Sequence, residues 1–263
     1  MIDRDMAWYC LNATMMKTIE YPLTATTLSR HDIHLVMKPL LRSALNKVGV
    51  QKNMPRKLVY GTLRSRGLGL RDPYWSQLIQ HLQVILRHSH RNTPTRMLLD
   101  ENMDLVQLYV GSEINFWELP YEVYGSLAPH GWIRHTWQSL SESPLVLRGS
   151  SLAFPRRRQR DIYLMDAFVD MGYDTAELLM LNECRLYLHA YTLADIVTAD
   201  GRAIDTSVWL GRRSYSCRYI ASDWIQTRDP GRPFWLCWQR ALRRTFLFQN
   251  QQHLRLRSPL GIW

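Results

Sequence analysis

One row of carboxylates in the sequence could take part in catalysis. Asp166, Asp170 and Asp174 recur every four residues, so a single helix face could carry all three. Polymerases and nucleases hold two Mg²⁺ ions with such groups, although this sequence has no adjacent Asp-Asp pair. Acids near a helix start are also ordinary, and we expect Asp166 and Asp170 to lie on a solvated helix face and Asp174 to cap the next helix. A metal-dependent nuclease with a site around Asp166 and Asp170 is therefore an alternative, not the main interpretation.

The other reactive residue types do not form a recognisable set. His31 and His34 are one turn apart and His88 and His90 flank a serine, but no further ligand stands at zinc-site spacing. The four cysteines are far apart and include no CxxC pair, which indicates buried reduced thiols. No serine lies in a GxSxG motif, and the stretch GTLRSRGLG lacks the Lys-Ser/Thr ending of a P-loop. The sequence thus predicts no catalytic residue, no metal site and no cofactor.

Positive charge is the stronger signal, because it is clustered. The formal net charge is +10, and residues 30–71 hold ten Lys/Arg against one acid, while residues 212–257 hold ten against two. Clustered cations favour contact with a polyanion, whereas simple solvation of Arg-rich helices is the alternative. The candidate nucleic-acid-binding residues are Lys52, Arg56, Lys57, Arg64, Arg66 and Arg71 in the first block and Arg240, Arg243 and Arg244 in the second.

Four of these cations share one turn that is punctuated by glycines. Arg56, Lys57, Arg64 and Arg66 lie between two predicted amphipathic helices. Such a turn cannot bury four unpaired cations, since desolvating each one costs several kcal/mol. We therefore expect all four to face water or the phosphates of a nucleic acid.

Apolar periodicity and capping signals predict a mainly α fold. A capping box begins one helix at Ser29, and the pairs Asp72-Pro73 and Thr93-Pro94 begin two more. The predicted helices cover residues 3–20, 30–48, 73–86, 94–110, 131–141, 161–171 and 175–189, and a last one starts at Pro233. Short strands are predicted near residues 56–62 and 195–205, with a tight turn at Asp200-Gly201 and a loop over 205–232.

These elements suggest two regions, a helical bundle over residues 1–150 and a second helical region with short β-hairpins over 151–263. Residues 150–160 are the candidate linker. The tryptophans of the Arg-rich block, Trp224, Trp235 and Trp238, are more typical of a core than of a platform for bases, because they follow an apolar stripe. No apolar run approaches the ~20 residues that cross a bilayer, and the N-terminus resembles no signal peptide. We expect an intracellular protein without a membrane partner.

The run from Ala7 to Leu70 resembles the thumb region of non-LTR-type retrotransposon reverse transcriptases, and most closely the reverse-transcriptase-like open reading frames of diatoms and related protists. The resemblance is carried by AWYCLNATMMKTIEYPLTATTLS, KPLLRSALNKVG and MPRKLVYGTLRSRGLGLRD. The family pattern Pro-Arg-x-Leu-x-Tyr-Gly-Pro followed by Gly-Gly-Leu-Gly is matched except at Thr62, where the family has proline, and at Arg66, where it has glycine. The later stretches DAFVDMGYDTAELLMLNECRLYLHAYTLADIVTADGRAI and WLCWQRALRRTFL are similar to the post-thumb region of the same family.

The resemblance implies the thumb and post-thumb part of a longer polymerase, with the palm and its Tyr/Phe-x-Asp-Asp motif upstream. The departure at Arg66, where the family has glycine, suggests a relaxed or decaying copy of the family's open reading frame. The catalytic aspartates would lie in that palm, and the Mg²⁺ requirement would belong to the parent polymerase, so we expect no polymerase activity from this chain. The expected partners are RNA or DNA, as duplex or hybrid, bound through phosphates. The second alternative is a helical structural or interaction protein whose basic charge is incidental.

Overall fold

The computed structural model describes residues 3–149, 156, 158–212, 225, 227–248 and 254–262, and in these residues the chain is mainly α-helical, as expected. Residue contacts divide it into two compact units. The first unit comprises Met1–Asp100 and His130–Pro144, and the second comprises Glu101–Pro129 and Leu145–Trp263. The expected boundary at residue 150 lies inside the second unit, and most of the candidate linker lies outside the described residues.

Helices build the first unit. Their bounds are α1 Arg4–Tyr9, a π-helical segment Cys10–Met15, α2 Met16–Glu20, a 3-10 turn Tyr21–Ala25, α3 Arg30–Lys47, α4 Arg56–Val59, a 3-10 turn Leu63–Ser65, α5 Pro73–His88, the first turns of α6 Pro94–Val110, and α8 Trp132–Ser141. The capping box at Ser29 is present, and Asp72 accepts a hydrogen bond from the Tyr74 amide to start α5. These predicted helix starts are confirmed.

The π-helical segment changes which residues of the first helical stretch face the core. A uniform α-helix predicts that Met6 and Ala13 are buried with Met16, but Met6 and Ala13 are exposed. The buried residues are Leu11 and Met16, which are five residues apart and are linked by the hydrogen bond from the Met16 amide to the Leu11 carbonyl. Because a π turn takes one more residue than an α turn, the apolar face moves.

Two further expectations for the first unit are wrong. Residues 56–62 form α4 and a following turn instead of a strand, because the Pro55 carbonyl accepts from the amides of Leu58 and Val59 and closes a helical turn. A short apolar run does not by itself distinguish a strand from a helix. On α5, the helical spacing of the apolar residues of 73–86 predicts that Ile79 and Leu86 are buried with Leu78 and Ile85, but both are exposed. The face that packs into the unit carries Tyr74, Gln77, Leu78, His81 and Ile85.

The second unit contains the rest of α6, α7 Tyr121–Tyr124, α9 Leu164–Asp170, α10 Thr175–Leu188, α11 Thr206–Trp209 and α12 Arg232–Phe246, with 3-10 turns Phe116–Glu118 and Leu193–Asp195. Aromatic rings join α9 to α12: the Phe168 ring centroid lies 6.0 Å from those of Trp238 and Phe246. The fully buried Arg185 of α10 donates to the carbonyls of Leu108 and Tyr109 and so satisfies the last turn of α6.

The β-structure of the described residues consists of isolated bridges. One bridge joins Val197 to Ile204 around the expected turn at Asp200-Gly201, and Gly201 has a φ of +68°. The turn is confirmed, but the described residues do not extend these bridges into the expected β-hairpins. The expected loop over 205–232 is partly wrong, because Asp205 caps α11 by accepting from the Ser207 amide; residues 213–224 and 226 lie outside the described residues.

Candidate nucleic-acid interface

The first block of candidate cations lies on residues 52–71, called the basic segment below. Its backbone folds back on itself through three hydrogen bonds, from the amides of Leu68, Gly69 and Leu70 to the carbonyls of Leu58, Gly61 and Val59, at 2.9, 2.8 and 3.2 Å. The side chains of Val59 and Leu70 are buried in the core of the first unit. The backbone of residues 58–70 therefore has a closed, packed conformation, and the surface side chains start from defined backbone positions.

A left-handed residue ends the 3-10 turn of the basic segment. Thr62 begins the turn by accepting from the Ser65 amide at 3.3 Å, and Arg66 follows with φ 59° and ψ 22°. Glycine adopts this conformation without steric cost, whereas a residue with a β-carbon is strained there. Position 66 is thus a site where the local backbone favours glycine and the sequence supplies a cation.

Most cations of the basic segment are available to a ligand. Lys52, Lys57, Arg64 and Arg66 are exposed, and within the described part of the chain none of them forms an ion pair. Arg71 is also exposed, with a nitrogen 3.8 Å from Glu20. Exposed cations without acidic partners keep their full charge for a polyanion.

Arg56 departs from the expectation that all four turn cations face water. Its side chain is only half-exposed, and its Nη1 atom is enclosed without a hydrogen-bond partner in the described residues. Arg56 and Lys57 line a small pocket of about 220 Å³ together with Arg30. Arg30 is held by Glu142 at 2.8 Å and stacks over the Tyr74 ring at 4.0 Å, so it is engaged within the unit. Arg56 begins the helical turn α4, and its side chain is partly packed against the first unit. This differs from the expectation that it faces water.

An open groove of about 950 Å³ runs beside the basic segment, between α2 and α5. Arg64 and Arg71 line it from the segment, and Lys17 lines it from α2. Lys17 could not be predicted as a groove residue from the sequence, because it does not belong to either cluster of cations. The packing of α2 against α5 brings it to the groove. Part of its charge is compensated, since Lys17 contacts Glu20 at 2.9 Å.

Two groups at the junction of groove and pocket have shifted pKa values. Asp72 and Tyr60 line both cavities. Burial raises the pKa of Asp72, although its hydrogen bond to the Tyr74 amide acts in the opposite direction. Burial and the nearby Asp72 carboxylate raise the pKa of Tyr60 to about 12, so its hydroxyl stays neutral at physiological pH. Asp72 and Glu20 are the acidic residues of a groove that Lys17, Arg64 and Arg71 also line.

The second block of candidate cations lies on one face of α12. Arg240, Arg243 and Arg244 are exposed and together line a pocket of about 390 Å³. The Arg243 guanidinium lies 5.4 Å from the Trp209 ring centroid, and the Arg244 guanidinium lies 5.0 Å from that of Tyr173. The structure thus brings the three predicted α12 arginines together at one site.

The tryptophans of the same helix serve mainly as core. Trp238 is fully buried, and Trp235 is half-buried beside Tyr187 with a centroid distance of 5.6 Å. This agrees with the expectation that they pack rather than stack on bases. Trp224, which belonged to the same expectation, lies outside the described residues.

Of the two aspartates of the alternative nuclease site, Asp166 has local structural partners, and Asp170 is exposed at the end of α9. Asp166 accepts hydrogen bonds from the Glu113 amide at 2.9 Å and the Tyr124 hydroxyl at 3.1 Å, and burial raises its pKa. Asp174 caps α10 by accepting from the Glu177 amide, as expected. Over the described residues, no group of three or more His, Cys, Asp or Glu side chains is placed to hold a metal ion.

Comparisons of the chain with models of known protein families, with curated proteins and with solved structures found no match. Among the helices that the structure describes, none combines the length and the apolar character that a membrane crossing requires.

Proposed function

We propose that this chain binds nucleic acid through its backbone phosphates, with the basic segment as the main contact surface. The observation that carries the proposal is the set of exposed cations, Lys52, Lys57, Arg64 and Arg66, which have no ion pair in the described residues. Two of them, Arg64 and Arg66, lie within the part of the segment that backbone hydrogen bonds close. Phosphate contacts from such a surface position a nucleic acid without reading its sequence.

The neighbouring groove supports a ligand that extends along the surface. It continues past Arg64 and Arg71 between α2 and α5, where the amide side chains of Gln80 and Gln83 line it. Amide groups can donate to sugar and phosphate oxygens and accept from base edges. The groove also carries the carboxylates of Glu20 and Asp72, so the exposed cations of the basic segment remain the main support for phosphate binding, and the groove adds length and amide groups.

The resemblance to reverse-transcriptase thumbs extends this proposal. In that interpretation the first unit is a thumb-like helical bundle and the second unit a post-thumb region, both working beside a polymerase palm and clamping a primer–template duplex. The α12 arginines would contribute further phosphate contacts. The mainly helical fold and the basic surfaces are what support this interpretation.

A salt titration tests the proposal. Binding of duplex DNA and of an RNA–DNA hybrid is measured by fluorescence anisotropy at increasing salt for the wild-type chain and for a quadruple alanine variant of the exposed Lys52, Lys57, Arg64 and Arg66. Each phosphate contact contributes about 0.9 to the slope of log affinity against log salt on B-DNA, so the variant should flatten the slope by about two to four units. All sequences should weaken alike, because phosphate contacts are not sequence-specific.

A matched variant separates this site from net charge. It removes the same number of positive charges from exposed positions of the first unit outside the segment. Alanine replaces Arg4, Arg42, Lys47 and Arg91. We expect this variant to keep most of the wild-type slope. Equal slopes for the wild type and the segment variant, or equal losses in the two variants, would reject the basic segment as the binding surface and favour incidental charge.

A further inference from the structure

The pocket on α12 has a composition unlike that of the groove in the first unit. Six residues line it: Trp209, Leu236, Gln239, Arg240, Arg243 and Arg244. Half of them are arginines, none is acidic, and one large aromatic ring lies beside the guanidinium groups. A pocket of about 390 Å³ is large enough for a small ligand rather than for an extended chain.

Among the residues that the structure describes, no carboxylate forms an ion pair with the arginines of this pocket. Arg30, Arg71, Arg96 and Arg156 form ion pairs in the described residues, but none of those ion pairs includes an α12 arginine. Three guanidinium groups on one helix face repel one another unless an anion lies between them. Solvation and the favourable position of Arg243 and Arg244 in the last helical turn stabilise part of this charge. That position does not account for Arg240, which lies one turn earlier.

Hydrogen bonds fix the wall that carries the aromatic ring. Gln239 of α12 donates through its amide nitrogen to the Trp209 carbonyl at 2.9 Å, which ties α11 to α12. Asp205 caps α11 through the Ser207 amide at 2.7 Å. These bonds hold the backbone that carries the Trp209 ring against α12, so this side of the pocket needs little rearrangement to bind a ligand.

We propose that the α12 pocket binds a terminal phosphate monoester of a nucleotide, with the base lying against Trp209. A backbone diester carries one negative charge, whereas a monoester carries nearly two at neutral pH and offers three acceptor oxygens. Three arginines match the monoester better in both charge and donor number. The ring beside them provides a face for a base, and base–aromatic stacking tolerates any sequence. The proposal does not depend on backbone binding by residues 52–71.

The test compares a ten-nucleotide single-stranded DNA that carries a 5′-phosphate with the same strand ending in a 5′-hydroxyl, both labelled at the 3′ end and measured by anisotropy at one salt concentration. The wild-type chain should bind the phosphorylated strand about tenfold more tightly, in line with a charge-assisted contact. Arg240→Ala should reduce this preference to less than about twofold. Adenosine 5′-monophosphate as a competitor distinguishes the two sources of this chemistry: displacement assigns the site to the nucleotide itself, and its absence assigns the site to a strand end.

Arg232→Ala is the matched control, because Arg232 is exposed on the same helix but does not line the pocket. It should keep the tenfold preference, and Arg240→Lys should keep part of it, since lysine retains the charge without the planar fork. Circular dichroism of each variant verifies its fold. Equal affinity of the wild type for both strands, or a preference that Arg240→Ala leaves intact, would overturn the proposal. Neither result would alter the salt slopes that test the basic segment.

Discussion

Gly67 lies directly on the backbone of Gly61, so closely that a β-carbon at position 67 would overlap the Gly61 carbonyl group. The contact closes the basic segment beside the hydrogen bond from the Gly69 amide to the same carbonyl. Because two backbones meet there, no side-chain movement can make room for a larger residue. The arrangement of the cations on this segment therefore depends on a glycine that carries no charge itself.

We expect Gly67→Ala to destabilise the first unit by about 1–3 kcal/mol, the range for overpacking at a tightly packed position. Urea denaturation followed by circular dichroism measures the change. Gly131→Ala in the same unit is the control, since a β-carbon there meets no atom within 4 Å. Because Gly131 is the N-cap of α8, the control should cost about 0.5 kcal/mol, the difference between glycine and alanine at such a position, and less than Gly67→Ala. Equal stability of Gly67→Ala and the wild type would contradict the close contact.

Arg66→Gly separates the fold of the basic segment from its charge. The left-handed conformation costs a non-glycine residue about 1–2 kcal/mol, and the greater freedom of glycine in the unfolded chain offsets about 0.5–1 kcal/mol of the gain. We therefore expect the variant to be as stable as the wild type or slightly more stable. Its salt slope for duplex DNA should fall by about one unit, through the loss of one phosphate contact. A stable variant with an unchanged slope would remove Arg66 from the interface.

Much of the helical architecture could be predicted because local chemistry specifies it. The capping box at Ser29 and the Asp72-Pro73 start each depend on residues within a few positions, and the structure has both. The π-helical segment and the helical turn at Arg56–Val59 could not be predicted in this way. Short apolar stretches fit more than one backbone geometry, and packing against the rest of the unit decides between them.

The candidate surfaces were predictable to the extent that their charge is clustered in sequence. Arg64 and Arg66 are neighbours along the chain and are both exposed in the structure. Lys17 joins the groove through packing of distant helices, and Trp209 joins the α12 pocket through its carbonyl contact with Gln239. Neither residue stands out by its spacing, since both contacts connect positions far apart in the chain.

Asp72 offers a way to change the charge of the groove while keeping its structure. Asparagine caps helices as well as aspartate does, so Asp72→Asn should change stability by no more than about 0.5 kcal/mol, whereas Asp72→Ala should cost about 1 kcal/mol. Removing a negative charge near Arg64 and Arg71 should strengthen duplex binding by up to about fivefold at low salt. Denaturation and anisotropy measure the two effects. Unchanged or weaker binding by the Asn variant would place the bound phosphates away from Asp72.

The stability of the first unit should depend on pH through His81. This ring is fully buried in the first unit, with Nε2 3.1 Å from the Leu23 carbonyl and Nδ1 2.8 Å from the Thr136 hydroxyl. The carbonyl can only accept, which assigns the proton of the neutral ring to Nε2. Nδ1 then competes with the Trp132 carbonyl, 2.8 Å from Thr136 Oγ1, for the single hydroxyl hydrogen of Thr136. Burial lowers the pKa of His81 from 6.5 to about 4, and His135, whose ring centroid lies 6.1 Å away, has a pKa lowered by the same cause.

A lowered pKa means that the unfolded chain binds more protons than the folded chain between pH 6.5 and 4. The first unit should therefore keep its full stability above pH 6.5 and lose about 3 kcal/mol from His81 as the pH falls to 4. Urea denaturation at a series of pH values measures this loss.

His81→Gln should be less stable than the wild type at pH 7, because the polar contacts of the ring are lost, yet its stability should depend less on pH. The exposed His31 provides the control, and His31→Gln should retain the wild-type profile. A profile for His81→Gln as steep as that of the wild type would show that other groups titrate in this window.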